Sequence, residues 1–245
     1  MHLDGGQRRG FFVTLEGPEG SGKSTQAQRL AARLVAAGYP CAVTREPGGT
    51  RLGEEIRQIL LHGMSPIPAA DALLFNAARA QLAAEVIEPA LTRGEIVICD
   101  RFSDSTLAYQ GYGAGQALDS LRELARFAAG GLVPNMTVLI DLPVEEGLGR
   151  KFGGPDITRF ESNEDVAFHR RVRAGFLALA AAEPDRFLVV DGRQPPDSVE
   201  AEIAEALLSR IAQRDKVPRG NAGRGVHESG TASSEPERAS LRMNK

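Results

Sequence analysis

The chain has no tryptophan and two cysteines in 245 residues, and aromatic residues make up 5% of it. A core must therefore come from Leu, Ile, Val and Ala. The two thiols, Cys41 and Cys99, each sit in a short β-branched run. They read as small buried hydrophobes in a reducing compartment and exclude a disulfide framework. No apolar run approaches the ~18 residues of a membrane span. Residues 1–10 (MHLDGGQRRG) are polar and Gly-rich, with no apolar signal core. Net charge is −3, too near neutral to argue for a nucleic-acid or membrane partner. A cytoplasmic protein without either partner is expected.

What the chain does have is 42% apolar residues, enough for a sizeable core. They fall in short runs that alternate with longer amphipathic stretches. Strands are expected at Phe11–Glu16, Cys41–Arg45, Ile96–Cys99, Met136–Asp141 and Phe187–Asp191. Helical spacing covers Lys23–Ala37, Leu52–Leu61, Leu118–Ala129, Asp165–Ala182 and Val199–Ala212. A long stretch over Ala69–Leu91 carries Pro89, which kinks or ends it. Strands separated by helices imply a parallel sheet covered on both faces. The expectation is a three-layer, doubly wound α/β fold with a five-stranded parallel sheet. Ligands then bind beyond the C-terminal ends of the strands.

Two stretches break this pattern. Residues 149–163 (GRKFGGPDITRFESN) are polar, Gly-rich and basic, and read as a flexible loop and a candidate lid. From about Arg214 to Lys245 the composition turns to Gly, Ser, Pro, Arg and Glu. Such a tail cannot bury enough surface to offset its ordering entropy, so disorder is expected. The folded unit is expected over 11–213, after a short N-terminal extension.

The segment Gly17-Pro18-Glu19-Gly20-Ser21-Gly22-Lys23-Ser24 fits GxxxxGK(S/T), between an expected strand and an expected helix. The glycines let the backbone turn so that N–H groups point inward at phosphate oxygens. The following helix adds its positive end. Lys23 can reach the β- and γ-phosphates, the Ser24 hydroxyl can coordinate Mg²⁺, and Thr25 can donate to a phosphate. The loop implies a nucleoside triphosphate and a P-loop NTPase fold. It does not say what becomes of the triphosphate.

Ile96–Asp100 (IVICD) is an apolar strand ending in a carboxylate, a place from which Asp100 can serve the Mg²⁺ shell. Arg101 follows at once and can neutralise charge on a transferring phosphoryl group.

At this point the sequence resembles the bacterial thymidylate kinases. The resemblance rests on GPEGSGKST (17–25), TREPGGT (44–50), LLFNAARAQ (73–81), CDRFSDSTLAYQGYG (99–113) and RFE (159–161). It covers roughly residues 10–212. It implies transfer of the γ-phosphoryl group of ATP to dTMP, with Mg²⁺, in a homodimer. It places Arg45, Arg57, Arg79 and Arg101 around the monophosphate and base, where guanidinium forks match phosphate oxygens. Phe75 is expected to stack on thymine, and Glu19 to meet the 3′-hydroxyl. Ser105, Thr106, Tyr109 and Gln110 form a polar cluster for the base edge and sugar. No basic residue lies between Gly17 and Gly22, so the resemblance is to the class whose arginine comes from the lid. Arg150, Lys151 and Arg159 are the candidates. Asn135 stands where that family usually has Asp.

Two other readings stay open on sequence grounds. One is a kinase for a different nucleoside monophosphate or a deoxynucleoside. The other is a P-loop switch or scaffold that binds nucleotide without phosphorylating anything.

Overall fold

The computed structural model describes residues 10–62, 67–151 and 166–216. The chain runs β1 (Phe11–Glu16), α1 (Lys23–Ala36), β2 (Cys41–Arg45), α2 (Arg51–His62) and α3 (Pro68–Leu82). A π-helical turn (Ala83–Ile87) leads to α4 (Glu88–Thr92), then β3 (Ile96–Asp100) and α5 (Ser103–Thr106). A second π-helical segment (Leu107–Gly113) leads to α6 (Leu118–Ala128) and β4 (Met136–Asp141). The rest is α7 (Val144–Lys151), α8 (Val166–Ala182), β5 (Phe187–Asp191) and α9 (Pro196–Lys216). The strands pair in parallel in the order β2-β3-β1-β4-β5, so the fold is the expected three-layer one.

The unbroken burial of β1 follows from its central place, with both faces covered. Phe11, Val13 and Leu15 pack toward α1 and α9, with Leu30, Leu34, Ile203 and Leu207. Phe12 points the other way, toward Leu82, Ile87, Val97 and Phe102. A second cluster on that face joins Leu139 to Tyr109, Val172 and Phe176. The outermost strands, β2 and β5, are the partly exposed ones. Asn135 ties β1 to β4: its Oδ1 accepts from the Phe12 N–H at 2.8 Å, and its own N–H donates to the Phe12 carbonyl at 2.8 Å. An amide makes this brace as an Asp would, without adding a charge.

The single helix expected over Ala69–Leu91 is instead α3, a π turn and α4. Pro89 has no N–H to give to residue 85. The chain absorbs this by widening the preceding turn and placing Pro89 in the first turn of α4, where a missing N–H costs nothing. The last helix also outruns its expected end at Ala212. Arg214 donates to the Gly10 carbonyl at 2.6 Å and its guanidinium lies 4.9 Å from the Phe11 ring centroid. That contact carries α9 into the first residues assigned to the tail. Residues 217–245 lie outside the described residues, as do 152–165, so most of the lid is not described. Its first residues, Gly149 to Lys151, form the end of α7 rather than a loop. Among the described residues, no helix is long and apolar enough to cross a membrane.

Candidate active site

The sheet register sets the site. Leu15 and Arg45 both pair with Asp100 across parallel ladders. The C-terminal ends of β1, β3 and β2 thus lie side by side, and the segments that follow them share one cavity of about 360 Å³. Its walls include Glu19, Lys23, Ser24 and Thr25 after β1 and Arg45 at the end of β2. Asp100 at the end of β3 lines it with Arg101, Ser105, Thr106, Tyr109 and Gln110 beyond. Arg57, Phe75, Arg79 and Arg150 complete it.

The loop 17–22 has the shape its sequence implies. Gly22, at the start of α1, has φ 93°, and a Cβ there would meet nothing within 4 Å. Its glycine is required by the backbone turn, not by crowding. Gly20 is required by crowding as well, since a Cβ would come within 2.0 Å of the Gly147 carbonyl oxygen. That close approach seats the loop against α7. Lys23 is buried and donates to the Pro18 carbonyl at 2.8 Å and to Ser21 Oγ at 3.2 Å. Burial first, then the nearby Arg101 guanidinium, lower its pKa to about 8. The Glu19, Asp100 and Glu16 carboxylates offset part of this lowering.

Ser24 Oγ donates to Asp100 Oδ2 at 2.5 Å. The hydroxyl and carboxylate expected to serve a metal are thus adjacent. Among the described residues no group of three or more His, Cys, Asp or Glu could hold a metal ion. The Ser24 hydroxyl and the Asp100 carboxylate are both hard oxygen donors, the kind Mg²⁺ takes from a protein.

Arg101 is the one non-glycine residue with positive φ, 73°, among the described residues. Such a conformation costs on the order of 1–3 kcal/mol and persists only where the surroundings over-determine it. Here its N–H donates to the Leu15 carbonyl at 3.0 Å, and the next N–H, of Phe102, donates to Glu16 Oε1 at 2.8 Å. The side chain donates to the Gly17 carbonyl, Ser105 Oγ, Glu19 Oε1 and the Tyr109 hydroxyl at 2.7–3.2 Å. The Tyr109 hydroxyl also donates to Glu19 Oε1 at 2.7 Å. Glu19, Arg101, Ser105 and Tyr109 therefore form one network.

The remaining arginines divide. Arg45 forks onto Glu54 at 2.9 and 3.0 Å, and Glu54 also accepts from the Gly49 N–H. Arg57 donates to the Pro47 carbonyl at 2.8 Å. Both remain at the cavity wall. Arg79 is 1% exposed and binds Glu46 through Nε and Nη2, the shortest contact being 2.7 Å. It also donates to Asn76, the Phe102 carbonyl and Thr106 Oγ1. It ties three segments together beneath the cavity. Phe75 packs with Ile56, Leu60 and Ala78. Arg150 donates both Nη groups to the Gly192 carbonyl at 3.2 and 3.3 Å. Arg159 and the side chain of Lys151 lie outside what the structure describes.

Sequence reasoning passes over Glu16, Glu46 and Asp71. Glu16 ends an otherwise apolar, fully buried strand, and that misplaced charge is the available signal. It accepts from the Phe102 N–H and from Ser105 Oγ at 2.6 Å, so it holds the segment that carries Arg101. Burial first, then the Asp104 carboxylate, raise its pKa from 4.5 to about 8. The folded protein thus binds this proton more tightly than the unfolded chain. The stability it contributes is full below pH 4.5 and is lost as pH rises through about 8. Glu16→Gln removes that titration. Its unfolding midpoint should decline less between about pH 5 and 8 than that of the parent. Equal slopes in thermal melts across this window would assign the decline to another group.

A family model described as thymidylate kinase matches residues 15–203. A protein named thymidylate kinase from Deinococcus radiodurans is 54% identical over 205 residues, covering 82% of this chain and 98% of the relative. One of the same name from Thermomicrobium roseum is 52% identical, covering 84% and 98%. A third, from Synechococcus sp. (strain JA-3-3Ab), is 50% identical, covering 82% and 97%. With the loop, the Ser24–Asp100 pair and the arginine-lined cavity in one place, the match extends through every element that builds the site, and the chain belongs to the thymidylate kinase family.

Proposed function

We propose that this kinase phosphorylates dTMP to dTDP with ATP and Mg²⁺. The observation that carries the reading is the joining of two anion-binding walls in one cavity. One is the phosphate loop with Lys23; the other is the arginine group Arg45, Arg57 and Arg101. A protein that only bound or hydrolysed a triphosphate would have no use for the second.

Residues 17–25 cradle the triphosphate, with backbone N–H groups, the α1 N-terminus and Lys23 directed at its oxygens. Ser24 and Asp100 would hold Mg²⁺, which would supply positive charge to offset that of the triphosphate. Arg45, Arg57 and Arg101 take the dTMP phosphate, and Phe75 stacks on the base. Arg79, Thr106 and Gln110 address the base edge. Glu19 meets the 3′-hydroxyl, and Tyr109 closes the sugar side where a 2′-hydroxyl would project. A dTMP phosphate oxygen attacks the γ-phosphorus of ATP in line as the bond to the β–γ bridging oxygen breaks and ADP leaves. The attacking oxygen is already anionic, so no general base is needed, and catalysis is positioning plus charge neutralisation. The segment 149–163 acts as a lid that excludes water, with Arg150, Lys151 or Arg159 added to the transferring group.

The kinase unit of this proposal runs from Phe11 to the end of α9, in a cytoplasmic protein. A homodimer follows from the family resemblance. Leu73 on α3 and Phe127 on α6 are 57% and 85% exposed, which suits helices that meet a second copy. Sedimentation velocity should give twice the chain mass; a single-chain mass at micromolar concentration would end that assignment.

The deciding experiment is acceptor-dependent ADP release with ATP and Mg²⁺. The panel is dTMP, dUMP, UMP, CMP, dCMP, AMP, GMP, thymidine and no acceptor. Fast turnover with dTMP and little with ribonucleotides is expected. Preference for another acceptor overturns the base and sugar assignments. Slow hydrolysis that ignores every acceptor overturns the kinase reading itself.

A further inference from the structure

Gln110 lies in the π-helical segment after α5, is 3% exposed and lines the cavity. Its Nε2 donates to Asp71 Oδ2 at 3.0 Å. Asp71 stands in the first turn of α3 and is 7% exposed. The two residues meet across a gap of 39 positions in sequence.

A carboxylate accepts hydrogen bonds and has none to donate, whereas a glutamine amide has a donating end and an accepting end. Only the Nε2 end can face Asp71. Turning the amide over would set its Oε1 against the carboxylate, two acceptors in contact at a site closed to water. The choice of amide orientation is thus fixed by the chemistry of the partner. What Gln110 keeps beyond Asp71 is the second hydrogen of Nε2 and its carbonyl oxygen, the one acceptor of the amide.

We propose that Asp71 is a specificity-determining positioning residue that holds the Gln110 amide with its carbonyl toward the bound base and so selects a 2,4-dioxopyrimidine over cytosine. The proposal rests on the dTMP reading above, in which Gln110 addresses the base edge. Thymine and uracil carry a hydrogen on ring N3, which a carbonyl oxygen accepts. Cytosine carries a lone pair at that atom, and the fixed carbonyl opposes it. A mismatch of this kind rejects a substrate far more strongly than shape alone, because a buried polar group is left unpaired. Asp71 touches neither substrate; it acts through Gln110.

The test compares kcat/KM for dTMP and dCMP in the parent and in Asp71→Asn. An asparagine can face Gln110 with either end, so the amide is no longer held one way. The dTMP:dCMP ratio should fall at least about tenfold, while KM for ATP stays within about twofold. Asp71→Glu keeps an acceptor-only group and should retain most of the ratio. A merely structural role would do the reverse: the larger side chain would harm a buried site more, and both acceptors would lose alike. Gln110→Met should lower the ratio as Asp71→Asn does, and the double variant should lower it no further. If Asp71→Asn does not fold, a Gln110→Met enzyme as selective as the parent overturns the proposal on its own. An unchanged ratio in a folded Asp71→Asn enzyme also overturns it. If the parent prefers a purine acceptor, the dTMP reading fails first and this assignment falls with it. If the parent prefers dTMP and Asp71→Asn keeps the parental ratio, the Asp71 assignment alone fails.

Discussion

Replacing Arg101 with Ala should lower turnover about 10³-fold or more, the scale expected when an arginine leaves a transferring phosphoryl group. Its position supports the size of the effect. The side chain crosses from the end of β3 to the Gly17 carbonyl and Glu19 of the phosphate loop and also donates to the Tyr109 hydroxyl, so it joins that loop to the segment after β3. A guanidinium there can bridge donor and acceptor phosphates while negative charge spreads over the transferring oxygens. Arg101→Lys would keep one charge but could not reach all of these partners without the planar fork, so partial rescue at most is expected. Backbone strain has to be separated from this effect. At φ 73° an alanine is as uncomfortable as arginine, while glycine is at ease. Arg101→Ala and Arg101→Gly should therefore differ in melting temperature and agree in their loss of turnover. Single-turnover ADP formation at a temperature where both are folded makes the comparison. An Arg101→Gly enzyme with parental turnover would show that the residue serves only the turn.

Most of the architecture is legible in the sequence because its elements follow simple patterns. A strand covered on both faces must be apolar throughout, and FFVTLE and MTVLID are so but for threonines and the acidic residue that ends each. α1 buries Gln26, Ala27, Leu30, Ala31 and Leu34 at helical spacing. Strand order is a different matter. Nothing local says that β3 inserts between β1 and β2, yet this insertion brings Asp100 beside Ser24. The π-helical turns are also out of reach, since Pro89 announces a disturbance but not whether the chain kinks, stops or widens.

Within the site, motif residues are legible and their partners are not. Arg79 belongs to a motif that points to the acceptor, but its 1% exposure follows from Glu46, 33 residues earlier. A buried pair of this kind forms between segments whose meeting is set by the tertiary fold. The same holds for Glu16 with Ser105 and for Asp71 with Gln110. In each case the residue expected to touch substrate is visible as part of a motif. The carboxylate that aims it announces no such role, even where, like Glu46 in TREPGGT, it stands inside a motif.

Lys23 gives the second large effect, and its logic differs from that of Arg101. Its Nζ is held by the Pro18 carbonyl and Ser21 Oγ, inside the loop itself. On the proposed function the ammonium is thus preset where the β- and γ-phosphates bind, and little reorganisation is needed during transfer. Removing one preorganised charge donor of this kind costs about 10²–10³-fold in turnover. Lys23→Ala should show at least that loss. It should also weaken ATP binding, because the lysine meets the triphosphate in the ground state as well as in the transition state. dTMP binding should change less, since the hydrogen bonds of Lys23 all go to the phosphate loop, at Pro18 and Ser21. Lys23→Arg should not rescue. The residue is 7% exposed, and a guanidinium is too broad for the space that its ammonium fills. Isothermal titration with ATP and with dTMP separately, followed by single-turnover transfer at saturating ATP, resolves the parts. Loss of ATP affinity with full turnover at saturation would reduce Lys23 to a binding residue. Loss of turnover with dTMP affinity intact places it on the transferring group, opposite Arg101.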